Sequence, residues 1–437
     1  MTRGQRFTLV AAILGSSVAA IDGTIVNVAL PAIQGDLGGG LQSQQWVANA
    51  YLLTLGSLIL IGGSLGDIFG RRRVFAIGVA AFGVLSLACA IAPTVETLIA
   101  ARALQGVAGA LLTPSSLAII AAAFTDRERG AAIGSWTAWG GIAMIVGPLA
   151  GGLIVDQTSW RWIFAINVPV VIVTLVLVRS ATPDAPPEPR RIDVVGAALC
   201  ALGLAGLVFA LIEQPRFGWG SPAILLPLVG GLASLAAFVV FEQRAAHPML
   251  RLDLFGRRNF SVANLQTLTI YAGLSVLFFF LFIFLQEVAG YSALEAGLTT
   301  IPTTAIMFVL SRRVGALADR LGPRLFLSVG PLLAAAGILL LLRAGTETSY
   351  LTDLLPALVV FSLGLTLVVA PLTATVLADA DESDAGIASA INNAIARVAG
   401  LVGISAVGAF VATRLAGDTF QPDDDSVGAF HEAVVVC

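Results

Sequence analysis

The sequence predicts an all-α integral membrane protein with thirteen full spans and a truncated fourteenth, and three observations carry that expectation. First, 57% of the 437 residues are hydrophobic and only 12% are charged, with a mean hydropathy of +0.92. A soluble chain is about 25% charged and under half apolar, so this one lacks the polar surface to cover a body in water. Second, its apolar residues fall into runs of about 20 separated by short loops, the length of helix a bilayer core requires. Third, all 24 basic residues are arginines, and they alternate in density from loop to loop.

The first run, residues 7–30, follows Arg3 and Arg6. It begins like a secretory signal, with Val18-Ala19-Ala20 resembling a small-residue cleavage site, yet its apolar character continues through Ile25 to Leu30. An uncleaved first span is therefore expected. The further spans are predicted at 45–65, 74–92, 98–123, 131–155, 162–179, 194–213, 222–242, 260–286, 295–311, 325–343, 352–377 and 385–413. With the N-terminus inside, eighteen arginines, from Arg3 and Arg6 through Arg320 and Arg324, fall in inner loops. Only Arg161, Arg216, Arg343 and Arg414 fall outside, which is the positive-inside bias. Arg102 and Arg397 remain, both within spans.

After the thirteenth span, Asp423-Asp424-Asp425 reads as part of an outer loop, and residues 430–437 as about two turns of helix. Eight residues cannot cross a core of about 30 Å, so this end is expected to be either an extracytoplasmic tail or the start of a truncated span. Residues 180–193 are proline-rich and linker-like, while 243–258 mix Met249, Leu250, Leu252, Leu254 and Phe255 with arginines, which suits an interfacial segment. The expected organisation is a six-helix bundle at 1–179, a linker with two extra membrane helices and the interfacial segment at 180–258, and a second bundle at 259–437.

Several function classes are excluded. A net charge of −3 leaves no basic face for nucleic acid. Cys89, Cys200 and Cys437 show no paired spacing, and His247 and His431 read as isolated loop residues, so neither a metal nor another cofactor is expected. No HExxH, no nucleophile elbow of the strand–GxSxG–helix kind and no nucleotide-binding loop is present, which argues against an enzyme and against ATP-driven transport.

The loop expected after span two reads Gly63-x-Leu65-x-Asp67-x-x-Gly70-x-Arg72, and the one after span ten reads Gly315-x-Leu317-x-Asp319-x-x-Gly322-x-Arg324. A GxLxDxxGxR pattern in equivalent places of two bundles marks a transporter built from repeated halves. Within spans, a charged residue costs about 2.5–3.5 kcal/mol at the bilayer centre and so faces a cavity or a partner. Span one holds Asp22, Thr24 and Asn27, span four Arg102 and Gln105, and span thirteen Asn392, Asn393 and Arg397. Asp22 and Arg102 are natural partners. Either they form a static structural pair, or the carboxylate takes and releases a proton as the arginine approaches and withdraws. Span five carries Gly147-Pro148-Leu149-Ala150-Gly151-Gly152 after Gly134, Gly140 and Gly141, which reads as a kink or as close small-residue packing. Phe278, Phe279, Phe280, Phe282 and Phe284 in span nine are expected to face lipid or packing partners rather than a cavity.

Together, residues 21–31 (IDGTIVNVALP), Trp46-Val47 with Tyr51-Leu52-Leu53, the GxLxDxxGRR segment, LxxxRxxQG from Leu98 to Gly106, GPxxGG, and WRWIFAINVP from Trp160 to Pro169 resemble the fourteen-span drug:proton antiporter branch of the major facilitator superfamily. The resemblance covers essentially the whole chain. It implies two inverted-repeat bundles plus two central extra helices, in the cytoplasmic (inner) membrane with the N-terminus in the cytoplasm. It further implies a monomer that exports small hydrophobic or cationic compounds in exchange for protons. Asp22 and Arg102 would couple the protons, and Thr24, Asn27, Gln105, Asn392, Asn393 and Arg397 would serve the substrate cavity. Gly63, Asp67, Gly70, Arg71, Arg72, Asp319 and Arg320 would form the gate, and Gly147, Pro148, Gly151 and Gly152 the antiporter kink. Asp67 could accept from the N–H groups opening span thirteen near Ala385 to Ala388, in competition with the acids of 379–384. Ala143 stands where the pattern usually has glycine. An uptake symporter on the same fold, or a non-transporting sensor or inactive truncated paralogue, is the alternative.

Overall fold

The computed structural model describes residues 1–181, 192–245, 248–378, 385–415 and 419–437. Residues 182–191 of the predicted linker 180–193, His247 and the acidic run 379–384 lie outside the described residues. The helices are α1 (Arg3–Leu37), α2 (Leu41–Phe69), α3 (Arg71–Ala90), α4 (Val95–Ala123), α5 (Asp126–Gln157), α6 (Trp162–Ala165), α7 (Asn167–Arg179), α8 (Val194–Phe217), α9 (Pro222–Arg244), α10 (Arg258–Glu287), α11 (Ala293–Leu298), α12 (Ile301–Leu321), α13 (Pro323–Leu340), α14 (Leu355–Ala378), α15 (Ala385–Val411) and α16 (Asp424–Val436). No strand occurs among the described residues. Thirteen helical segments among them are long and apolar enough to cross a membrane, as expected, with α6–α7 forming the sixth and α11–α12 the tenth.

Hydropathy marks the apolar middle of each helix, whereas capping chemistry sets its ends. In α1 the Thr2 hydroxyl accepts from Gln5 N while the Gln5 side chain accepts from Thr2 N, a capping box that starts the helix well before the apolar run. Gly38, at φ 77°, stops it. The same reciprocal cap opens α4 at Thr94 and α11 at Ser292. The GxLxDxxGxR segments are corrected from loops to helix ends. α2 stays helical through Phe69 and α12 through Leu321, and the chain turns only at Gly70 (φ 94°) and Gly322 (φ 83°) before α3 and α13 begin. The repeat therefore specifies a one-residue left-handed break, which glycine adopts without a Cβ clash.

The chain divides into two compact units, one of Met1–Gly39, Trp46–Leu207 and Leu225–Leu250, the other of Gly40–Gln45, Val208–Ile224 and Arg251–Cys437. In the first, α1 packs on α4, α5 and α7, and α3 on α4. In the second, α10 packs on α14, α15 and α16, and α13 on α14. The same pairing thus recurs, with α16 in the place of α7. Glycines make the matched contacts close in both. Gly147 and Gly151 of α5 lie against Thr24 and Ile25 of α1, and Gly400 and Gly403 of α15 lie against Ser275 and Ala272 of α10.

α16 corrects the reading of the C-terminal segment. Asp423 is its N-cap, accepting from Ser426 N at 2.8 Å, and Asp424 and Asp425 occupy its first turn. The three acids read as loop in fact start the helix, where negative charge suits the dipole. His431 sits on this helix rather than in a loop, with Nε2 2.8 Å from the Ala344 carbonyl oxygen. The α10 aromatics are packing residues. Phe279, Phe280, Phe282 and Phe284 are fully buried, and Phe284 stacks on Phe430 at 4.1 Å.

A contrast between two glycines tests this packing. At Gly106 of α4, a Cβ would collide with the Tyr51 carbonyl oxygen and the Thr54 hydroxyl and lie 3.1 Å from Leu55 N. Backbone cannot swing aside, and the bond from Thr54 Oγ1 to Ala103 O (2.6 Å) would break. Gly106→Ala is therefore expected to destabilise the protein by about 1–3 kcal/mol, the cost of overpacking. Gly140 of α5 has no atom within 4 Å of its would-be Cβ, so Gly140→Ala is expected to hold or raise stability through better helix propensity. Thermal unfolding in detergent separates the two, and equal melting points would contradict the assignment of Gly106 as a packing contact.

Candidate functional site

Five elements of the first unit bring polar side chains to one point inside the helix bundle. α1 contributes Asp22 from its middle. α4 contributes Arg102 and Gln105, three apart and so on one face; α3 contributes Ser86 and Cys89 by the same spacing; and α2 contributes Val47 and Tyr51, four apart. The first residue of α7 is Asn167. Asp22, Gln105, Ser86 and Cys89 are wholly buried, Arg102 and Tyr51 are 1% exposed, and Asn167 is 3% exposed.

Arg102 is held from several sides. Its Nη1 donates to Asp22 Oδ2 in an ion pair and to Gln105 Oε1 at 2.7 Å. Its Nε donates to the Val47 carbonyl at 3.3 Å. The guanidinium lies over the Tyr51 ring at 4.4 Å and near that of Phe164 at 5.7 Å, both within cation–π range. On the other carboxylate oxygen, Asp22 Oδ1 accepts from Gln105 Nε2 at 3.0 Å and Asn167 Nδ2 at 3.1 Å. The same two amide nitrogens also donate to Ser86 Oγ, at 2.8 and 3.1 Å. The carboxyl group of Asp22 is thus met by three donors, one of them the guanidinium of Arg102.

The predicted partners Asp22 and Arg102 are therefore in contact, and Gln105 joins them in the buried cluster. Thr24 and Asn27 are half-buried, and the Thr24 hydroxyl donates back to Ile21 O at 3.0 Å. In the second unit, Asn392 Nδ2 donates to Asn264 Oδ1 at 3.0 Å and Thr267 Oγ1 at 2.7 Å. Asn393 is exposed and bonds its own helix at Ser389 O, and Arg397 is half-buried near the Tyr271 phenol. Ser86, Tyr51, Asn167, Asn264 and Thr267 were given no role from sequence. Tyr51 and Asn167 lay within the motifs that carry the resemblance, without a role, and the signal of Ser86, Asn264 and Thr267 was a lone polar group in an apolar run.

At the motif end of α2, Asp67 pairs with Arg71 one turn on, at 3.0 Å to Nε and 2.8 Å to Nη2. Arg72 reaches the carbonyls of Arg179 (2.7 Å) and Ala181 (3.3 Å), tying the start of α3 to the end of α7. In the second repeat, Pro323 stands where the first has Arg71, so Asp319 lacks an arginine at that spacing; Asp319 and Arg320 are exposed. Of the kink glycines, Gly147 and Gly151 touch α1, whereas Gly134, Gly140 and Gly141 face open space. Near the last turn of α1, Asp36 accepts from Trp160 Nε1 at 3.0 Å and pairs with Arg161, a clasp the sequence did not announce. Among the described residues, no group of three or more acids, histidines and cysteines is placed to hold a metal ion.

Comparison with known proteins agrees with this architecture. The chain is 38% identical over 406 residues to the puromycin resistance protein pur8 of Streptomyces alboniger, covering 91% of this chain and 80% of that protein. It is 34% identical over 427 residues to the multidrug resistance protein Stp of Mycobacterium tuberculosis, covering 97% and 78%. It is 36% identical over 420 residues to the tetracenomycin C resistance and export protein of Streptomyces glaucescens, covering 95% and 77%. In fold, it resembles the inward-facing, unoccupied crystal structure of a bacterial homolog of the human lysosomal transporter Spinster, with a TM-score of 0.72 at 16% identity over 100% of this chain and 95% of that one. The inward-open xylose transporter XylE from E. coli gives a TM-score of 0.61 at 14% identity over 98% and 94%. The Major Facilitator Superfamily model matches residues 12–404. With that match and these relatives, the chain belongs to the Major Facilitator Superfamily and is a multi-pass membrane transporter.

Proposed function

We propose that the protein is a proton-coupled antiporter that exports small hydrophobic or cationic compounds across the cytoplasmic membrane by alternating access, as a monomer with its N-terminus in the cytoplasm. The buried Asp22–Arg102 pair carries this reading. In the state described here no water reaches either charge, so the carboxylate exchanges a proton only when the cluster opens. Protonation removes the attraction that holds Arg102, and return of the arginine favours release of the proton. Proton loading and the opening of the first bundle are then one event. The names of the relatives, resistance to puromycin and export of tetracenomycin C among them, support an outward direction and a bulky organic substrate. In this reading the bundles at 1–179 and 259–437 are the working halves and 180–258 is an insertion. The Asp67–Arg71 pair belongs to the gate, and Thr24, Asn27, Asn392, Asn393 and Arg397 serve the substrate path.

Reconstituted vesicles test it. With puromycin as probe, an imposed pH gradient is expected to drive accumulation that a protonophore abolishes. Puromycin flux unchanged by the gradient would remove the proton from the mechanism.

A further inference from the structure

The start of α8 and the end of α9 hold two acids that transport through Asp22 leaves unused. Glu242 is 3% exposed. Its Oε2 accepts from Leu250 N at 2.9 Å, while its Oε1 is buried and receives no donor. Asp193, just before α8, repeats the arrangement: Oδ1 accepts from Gly196 N at 2.7 Å, and Oδ2 is buried without a donor. The two donorless oxygens converge on Gly196, where a Cβ would fall 2.5 Å from Asp193 Oδ2 and collide with Glu242 Oε1. The two carboxyl groups are within hydrogen-bonding reach of each other.

Two carboxylates at that range repel, and neither has a hydrogen to offer. One proton between them gives each donorless oxygen a partner in a short, charge-assisted O–H···O⁻ bond. A divalent cation would need several oxygen ligands, whereas here the outer oxygens are taken by backbone N–H groups. Among the described residues, the surrounding charges do not change the balance. The Cys200 thiol lies near Glu242, Arg244 is exposed, and Arg251 pairs with Asp253 at 2.6 Å. Among the described residues, no ion pair reaches either acid.

We propose that Asp193 and Glu242 form a proton-binding site separate from Asp22, in which one shared proton clasps the start of α8 to the end of α9 and the turn at 248–250. The clasp holds while the proton is bound and opens as pH rises and both acids ionise. Gly196 is part of the site because any side chain there would wedge between the two acids.

The test is thermal unfolding of the full chain in detergent between about pH 5 and about pH 9, for wild type, Glu242→Gln and Asp193→Asn. In either variant an amide N–H replaces the shared proton at every pH, and the amide oxygen keeps the backbone bond. The wild type is expected to lose several degrees of melting temperature toward the alkaline end relative to both variants. Its infrared band for a protonated carboxylic acid is expected to vanish in Glu242→Gln. Parallel melting profiles in all three proteins, or a wild-type profile that shifts when a chelator is added, would overturn the assignment. Should Glu242→Gln fail to fold, Asp193→Asn carries the same comparison.

Discussion

Arg102→Ala is expected to lower folding stability by about 3–5 kcal/mol, the range for breaking a buried ion pair from one side. The size follows from what stays behind. Asp22 would remain fully buried with only the Gln105 and Asn167 amides on one oxygen, and its other oxygen would face the space left against Tyr51. With the site wholly buried, neither water nor salt reduces the loss. Arg102→Lys is expected to fall between. An ammonium keeps the charge, but it lacks the planar fork that serves Asp22, Gln105 and Val47 together. Melting of the single variants, of Asp22→Asn and of Asp22→Asn/Arg102→Ala completes a double-mutant cycle. The pair is expected to show a coupling energy at the upper end of about 0.5–3 kcal/mol, and strictly additive losses would mean that the two charges do not stabilise each other.

The thirteen spans were legible because hydropathy acts over whole segments and survives errors of a few residues. The Asp22–Arg102 contact was legible for a different reason. Charges within spans are few, so each has few candidate partners. Ser86 escaped because a single hydroxyl in an apolar run costs little and so carries little signal, and Asn167 stood inside a quoted motif with nothing to mark its role; only the fold shows that both bond to the same acid network. Asp193 and Glu242 escaped because one sat in a linker pattern and the other at a span end, where acids are ordinary. The GxLxDxxGxR segments read as loops because charge and glycine usually mark turns, yet here a single left-handed glycine suffices and the charges ride on the helix. The acids before α16 misled in the same way, since Asp423 serves loops and helix caps equally well.

Asp22→Asn is expected to abolish puromycin accumulation driven by a pH gradient while leaving downhill exchange of the compound measurable. An amide of nearly the same shape keeps an oxygen for Gln105 and Asn167, but it presents N–H groups toward Arg102 and cannot bind a proton at any working pH. The variant therefore loses stability as well as coupling, although less than Arg102→Ala does. The buried guanidinium still keeps Gln105 Oε1, the Val47 carbonyl and the Tyr51 face. Loss of all flux would leave a folding defect and a coupling defect indistinguishable, which is why exchange is measured in the same vesicles. With exchange intact and accumulation gone, substrate still crosses and only the proton's contribution is missing, the outcome a proton carrier at Asp22 requires. Accumulation at the wild-type level would assign the carrier elsewhere and reduce the Asp22–Arg102 cluster to the static pair that its burial alone would also explain.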